Sequence, residues 1–173
     1  TPLYSSAASD VYKRQFFVGL LIFYKLISSL YDKKTAIWSS FFLLAFPTSF
    51  YFGAVYTEGL FFLLVTLSFY FFTKQRLVLA SVFGLTASAT RLVGIYIAVA
   101  LQNYKKINLI PLVVVPLGLV AYMVYLKLEF NNAFYFFTSQ SAFGQDRSTT
   151  EIILLPQVVF RSLKQILTTN GIV

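Results

Sequence analysis

From residue 16 to residue 126 the sequence is a succession of apolar runs separated by a handful of charges, and this constrains the fold more than any other feature. Runs of that kind cannot lie on the surface of a soluble domain; other apolar matter, protein or lipid, must cover them. Composition agrees: 58% of residues are hydrophobic and 12% charged, against about 45–50% and about 25% in soluble domains. A mean hydropathy of +0.74 also excludes a disordered chain. The expectation is an all-α integral membrane protein, a polytopic bundle of transmembrane helices. Each crossing takes about 20 residues to cover a hydrocarbon core of about 30 Å. A chain of 173 residues therefore has no room for a separate soluble domain beside such a bundle.

Residues 16–31 are apolar apart from Lys25 and stop at Asp32-Lys33-Lys34. Residues 36–56 form a long apolar run with Pro47 inside it, and residues 59–73 come next, closed by Lys74 and Arg76. Two shorter runs, 77–89 and 92–104, are separated by Thr90-Arg91. After Lys105-Lys106, residues 107–126 are long enough to cross a bilayer, with Pro111 and Pro116 as expected kinks. Residues 129–157 are too polar to span, and Arg161 and Lys164 read as the basic edge of an amphipathic segment lying at the interface.

The bases set an expected orientation. Lys33/Lys34, Lys74/Arg76 and Lys105/Lys106 are doublets of the kind that prefer the cytoplasm. With all of them inside, the turn at 56–58, Arg91 and the 129–157 stretch face outward. This requires 77–89 and 92–104 to be a pair of short helices meeting at Arg91, each about 20 Å long at 1.5 Å per residue. A single helix through Arg91 would instead carry Lys105/Lys106 outside. The net charge of +8 does not point to nucleic acid, because the bases are scattered between apolar runs rather than gathered in a phosphate-binding patch.

Residues 1–15 differ from the rest of the chain. The run Ser5-Ser6-Ala7-Ala8-Ser9-Asp10-Val11-Tyr12-Lys13-Arg14-Gln15 resembles adapter-derived translation at the end of an assembled sequence fragment and lacks the apolar core of a signal peptide. It is expected to be a non-native tail, with 16–173 a transmembrane helical region incomplete at both ends.

Little chemistry is available. There is no Cys and no His, so disulfides, thiolate metal sites and the commonest general base are absent. Acid–base work falls to Asp10, Asp32, Glu58, Glu129, Asp146 and Glu151. Glu58 is the one charge between Lys34 and Lys74, and Arg91 the one charge between Arg76 and Lys105. A charge at membrane depth costs about 2.5–3.5 kcal/mol on insertion scales, so it needs a partner or a task. The bland expectation is a Glu58–Arg91 salt bridge tying two helices together. The functional one is a polar cavity in which Arg91 holds an anionic lipid head group through bidentate hydrogen bonds while Glu58 orients a polar ligand. The two are compatible, since a paired guanidinium keeps donors to spare. Aromatics near 46–56 and 134–143 fit either a membrane-interface belt or a sugar- or isoprenoid-binding surface.

Several stretches together resemble a family. They are Phe46-Pro47-Thr48-Ser49-Phe50-Tyr51-Phe52, Tyr56-Thr57-Glu58-Gly59-Leu60-Phe61, the run ending Ala89-Thr90-Arg91-Leu92-Val93-Gly94, and Asn132-Ala133-Phe134-Tyr135-Phe136-Phe137-Thr138-Ser139-Gln140. Their order and spacing over residues 36–164 look like the bacterial PIG-V-like mannosyltransferases, of the GT-C class of multi-pass glycosyltransferases. The resemblance implies transfer of a mannose-like sugar from a polyprenyl-phosphate carrier to an acceptor on the extracytoplasmic side of a bacterial cell membrane. It implies substrate-binding roles for Tyr56, Glu58, Arg91 and Gln140, leaves room for a divalent cation in a full-length enzyme, and assigns no metal ligand here. The family's catalytic acid lies in an external loop near a Trp-Asp motif. The sole Trp here, Trp38, is followed by Ser39-Ser40, so the catalytic residue is expected upstream of Phe16. The competing class is a polytopic transporter or flippase for a lipid-linked or hydrophobic substrate, which would also use an intramembrane Arg and Glu. No internal repeat of the transporter kind is evident.

Overall fold

The computed structural model describes residues 2–52, 54, 56–103 and 107–139, and the regular structure among them is helical. The helices are α1 (Pro2–Leu30), α2 (Lys33–Ala45), α3 (Glu58–Thr73), α4 (Leu77–Thr90), α5 (Ile97–Ala100), α6 (Leu109–Phe130) and α7 (Tyr135–Thr138), with 3-10 turns at Ser49–Phe52 and Leu92–Tyr96. The described residues are all-α, as expected. The chain divides into two compact units, Thr1–Tyr125 and Leu126–Val173.

α1 begins with Pro2, whose missing N–H costs nothing in a first turn, and continues for 29 residues. The backbone has no break at residue 15, where the tail and the apolar run were divided. α2 starts where Asp32, with extended φ −136° and ψ 168°, accepts the Thr35 N–H at 3.0 Å. It ends earlier than the apolar run suggested. Phe46 precedes Pro47 and takes φ −65° and ψ 135°, the conformation a following proline imposes. The expected single segment 36–56 is therefore a helix of 13 residues and a separate 3-10 turn.

α3 and α4 form a tight antiparallel hairpin. The Lys74, Gln75 and Arg76 N–H groups close α3 by donating to the carbonyls of Tyr70, Phe72 and Phe71 at 3.2, 2.9 and 2.9 Å. Gln75 takes the left-handed conformation at φ 59°. The Ser68 hydroxyl donates to the Ala80 carbonyl at 2.8 Å, stitching the two helices together where both are buried.

α4 stops at Arg91, which is extended at φ −147° and ψ 138°. A continuous helix through residues 77–104 does not form. The second helix of the expected pair does not form either: residues 92–96 are a 3-10 turn, and α5 has only four residues. Packing explains the difference. The chain doubles back against α4 so closely that a Cβ on Gly94 would stand 2.6 Å from the Ser88 backbone. Such an approach suits the tighter 3-10 winding, which does not extend far. Ile97 then reaches Gly84, and Ala80, Ala87, Ile97, Ala98, Leu101 and Val115 form the buried cluster.

α6 returns parallel to α4: Val115 lies against Gly84, and Gly118 lies against the Leu85 carbonyl and the Ser88 hydroxyl. The Ser88 hydroxyl donates to the Val115 carbonyl across this seam. Of the two expected kink points only Pro116 lies in the interior of α6. Pro111 falls in the first turn, where no intrahelical bond is lost. α6 also starts later and runs further than residues 107–126, ending at Phe130.

Register places the charges. Gly59 lies against Phe16 and the Tyr12 carbonyl, and Gly19 against Phe62 and Leu63, so α1 and α3 run parallel. Lys33 and Lys34 therefore sit at the same end of the first unit as Lys74 and Arg76. Glu58 and Arg91 sit at the opposite end. Lys105 and Lys106 lie outside the described residues.

Among the described residues one helix, α6, is long and apolar enough to cross a membrane. α3 and α4 are apolar but shorter, at 16 and 14 residues, or about 24 and about 21 Å. In the second unit, Phe130 stacks on Tyr135 with ring centroids 4.7 Å apart, and the Asn132 side-chain carbonyl accepts the Phe134 N–H at 2.9 Å.

Candidate functional site

The hairpin brings together two charges 33 residues apart in sequence. Arg91 Nη1 donates to Glu58 Oε1 at 2.7 Å. Local structure prepares both partners. Glu58 is the first residue of α3, where an acid complements the positive end of the helix dipole, and Arg91 caps α4, where a base complements the negative end. Each placement is favourable by about 0.3–1 kcal/mol before the two side chains meet. Because α3 and α4 are antiparallel and joined by a three-residue turn, these two termini are neighbours.

Both side chains remain partly open, Arg91 at 40% and Glu58 at 28% exposure. Phe61, one turn beyond Glu58, lies beneath the guanidinium with its ring centroid 5.8 Å from Cζ. The ring restricts the arginine on one side without consuming a donor. The ion pair uses one of five N–H donors on Arg91, leaving the planar fork able to grip an oxyanion.

Glu58 is asymmetric. Oε1 accepts from Arg91, while Oε2 is buried and has no hydrogen-bond partner. A buried carboxylate oxygen without a donor costs about 1–3 kcal/mol or more, so this atom is the point in the cluster where an incoming N–H or O–H would be most favoured. The side-chain carbonyl of Gln15 is likewise buried and unpartnered. Gln15 lies on α1 next to Phe16, whose Cβ faces Gly59. Sequence reasoning missed Gln15 because it fell in the segment set aside as a tail. The signal was only its polarity at the edge of an apolar run.

Of the expected binding residues, the structure joins Glu58 to Arg91. Tyr56 is beside them in sequence but belongs to an aromatic group: its ring lies 5.7 Å from Tyr51, which lies 4.2 Å from Phe50. Tyr56 is exposed. Gln140 lies outside the described residues. No group of three metal-ligating side chains gathers among the described residues.

What the arrangement can do is bind. It offers a guanidinium fork braced by a ring and a carboxylate, with one carboxylate oxygen awaiting a donor. A scan against protein-family models, and searches of curated proteins and of solved structures, find nothing that matches this chain.

Proposed function

We propose that the chain is part of a multi-pass membrane glycosyltransferase, and that Glu58 and Arg91 bind the head group of a polyprenyl-phosphate-linked sugar on the extracytoplasmic side. The observation that carries this is the division of labour at the ion pair: spare donors on Arg91 for phosphate, and an orphaned Glu58 Oε2 for a sugar hydroxyl. A single class of ligand, an anion bonded to a polyol, satisfies both.

Membrane residence is supported by what faces outward. Phe42, Val99 and Val113 are 64%, 65% and 61% exposed, and side chains of this kind along several helices need an apolar solvent. Small residues at the α4 seams, namely Gly84, Ser88, Gly94 and Gly118, suit helices whose association depends on close approach rather than on water exclusion. The basic end, with Lys33, Lys34, Lys74 and Arg76, is the one that the positive-inside rule assigns to the cytoplasm, which turns Glu58 and Arg91 outward. The sugar-transfer class itself rests on the sequence resemblance to PIG-V-like mannosyltransferases.

The experiment is binding of a radiolabelled polyprenyl-phosphate mannose to the chain in lipid nanodiscs. Arg91→Ala should weaken it by about ten- to a hundredfold, the size of one or two lost charge-assisted bonds, with Arg91→Lys in between. Equal affinity for the neutral polyprenol, or an Arg91→Ala variant that binds normally, would remove the phosphate role. A transporter or flippase would instead move the labelled lipid between leaflets of sealed vesicles.

A further inference from the structure

We propose that the joined end of the α3–α4 hairpin carries a second anion site, a cleft that takes a phosphate group from the side opposite Glu58 and Arg91. A cavity of about 370 Å3 there is lined by Tyr70, Phe71, Lys74 and Arg76, a size within the range of small-ligand sites. Two of its four walls are cations and two are aromatic rings, so positive charge is directed into one hollow instead of being spread along a loop.

Tyr70, Phe71 and Lys74 are held by ring contacts. Lys74 Nζ lies over the Tyr70 ring, 5.7 Å from its centroid. Phe71 stacks on Phe83 at 5.4 Å with planes 5° apart, anchoring the second ring to α4. The left-handed Gln75 lets the chain turn within three residues, and this keeps Lys74 and Arg76 on the same cleft.

Among the described residues neither Lys74 nor Arg76 has a carboxylate within ion-pair distance. The acid at this end of the first unit, Asp32, is engaged as the N-cap of α2, accepting from Thr35. Arg76 is itself the N-cap residue of α4 and supplies no side-chain cap, so the positive end of that helix dipole adds to the same field. Helix α3 gains from Lys74 at its C-terminus, but Arg76 at the start of α4 is electrostatically misplaced unless an anion joins it. A guanidinium fork beside an ammonium point charge is the donor set that suits a phosphate. The aromatic walls suit the apolar stem of a phospholipid. The shared chemistry is a phosphate group, supplied either by an anionic phospholipid or by free phosphate.

The test uses the full chain purified in neutral detergent. Native mass spectrometry with added phosphatidylglycerol or phosphatidylcholine forms one arm, and calorimetric titration with inorganic phosphate forms the other. Phosphatidylglycerol adducts, or phosphate binding, should fall at least about tenfold in Lys74→Gln/Arg76→Gln, while Lys33→Gln/Lys34→Gln, at the same end but off the cleft, keeps them. The arm that responds names the source. Helical circular dichroism checks folding, and the charge-preserving Lys74→Arg/Arg76→Lys should retain binding even if the neutral variant misfolds. The proposal is overturned by binding in neither arm, by binding undiminished in Lys74→Gln/Arg76→Gln, or by an equal loss in Lys33→Gln/Lys34→Gln.

Discussion

The two ends of the α3–α4 hairpin are built from the same pair of helices and treat charge in opposite ways. At the open end an acid starts α3 and a base caps α4; each suits its helix dipole and the two close on one another at 2.7 Å. At the joined end two bases occupy one turn with no carboxylate within ion-pair distance among the described residues. At the open end the hairpin's acid and base pair off and one buried carboxylate oxygen has no donor; at the joined end both charges of the turn are positive. A hairpin in which dipoles and side chains are arranged this way is polarised along its length.

The largest expected effect comes from adding a side chain beside the open end. Gly94→Val would drive Cβ into the Ser88 backbone, where only 2.6 Å is available. The cost should be about 1–3 kcal/mol or more, read as a lower midpoint of thermal unfolding in detergent. Because residues 92–96 follow Arg91 directly, the same variant should also lose ligand binding. A midpoint equal to that of the unsubstituted chain would mean that the turn does not pack on α4.

At the joined end the opposite operation should help. Gln75 is held at φ 59°, so Gln75→Gly removes a Cβ from a left-handed residue and should stabilise the hairpin by about 0.5–1 kcal/mol, less the entropy that glycine adds to the unfolded chain. Destabilisation would mean that the Gln75 side chain makes a contact worth more than the strain.

The Glu58–Arg91 pair should contribute modestly to stability. Both groups are partly exposed, and a double-mutant cycle with Glu58→Gln and Arg91→Gln should give a coupling of about 0.2–1 kcal/mol. A coupling several times larger would recast the pair as a structural tie and weaken its assignment as a binding site.

The smallest effect concerns Asp32, whose carboxyl is held below its usual value near 3.8 by hydrogen bonds from the Thr35 side chain and backbone. A depressed pKa stabilises above the unfolded value and is lost as pH falls through the folded one. The first turn of α2 should therefore fray only in that acidic window, and an Asp32→Asn variant should show no such step in helical signal.

Legibility in the sequence differs by region. The break at Arg91 was visible because a lone guanidinium after Thr90 interrupts two apolar runs, and the pairing with Glu58 followed from their shared isolation. The form of residues 92–101 was not visible, because it depends on Gly94 and Ser88 meeting across a seam that no local pattern encodes. Pro47 carried a plain local signal, yet the apolar run around it concealed the end of α2. Tyr56 was a candidate through the family resemblance alone, and nothing local in the sequence showed that its ring would lie against Tyr51. The cleft at Lys74 and Arg76 was read only as an orientation signal, since its walls come from positions on both sides of a turn.

The most direct test is a solid-state NMR measurement of 31P–15N dipolar dephasing between bound polyprenyl-phosphate mannose and arginine guanidinium nitrogens, with Arg91→Lys used to assign the signal. The expected result is strong dephasing, corresponding to an N···P separation of about 4 Å through a direct hydrogen bond, that vanishes in Arg91→Lys and persists in Arg76→Lys. Dephasing that survives Arg91→Lys, or none at all with the lipid bound, would contradict the assignment of Arg91 to the phosphate.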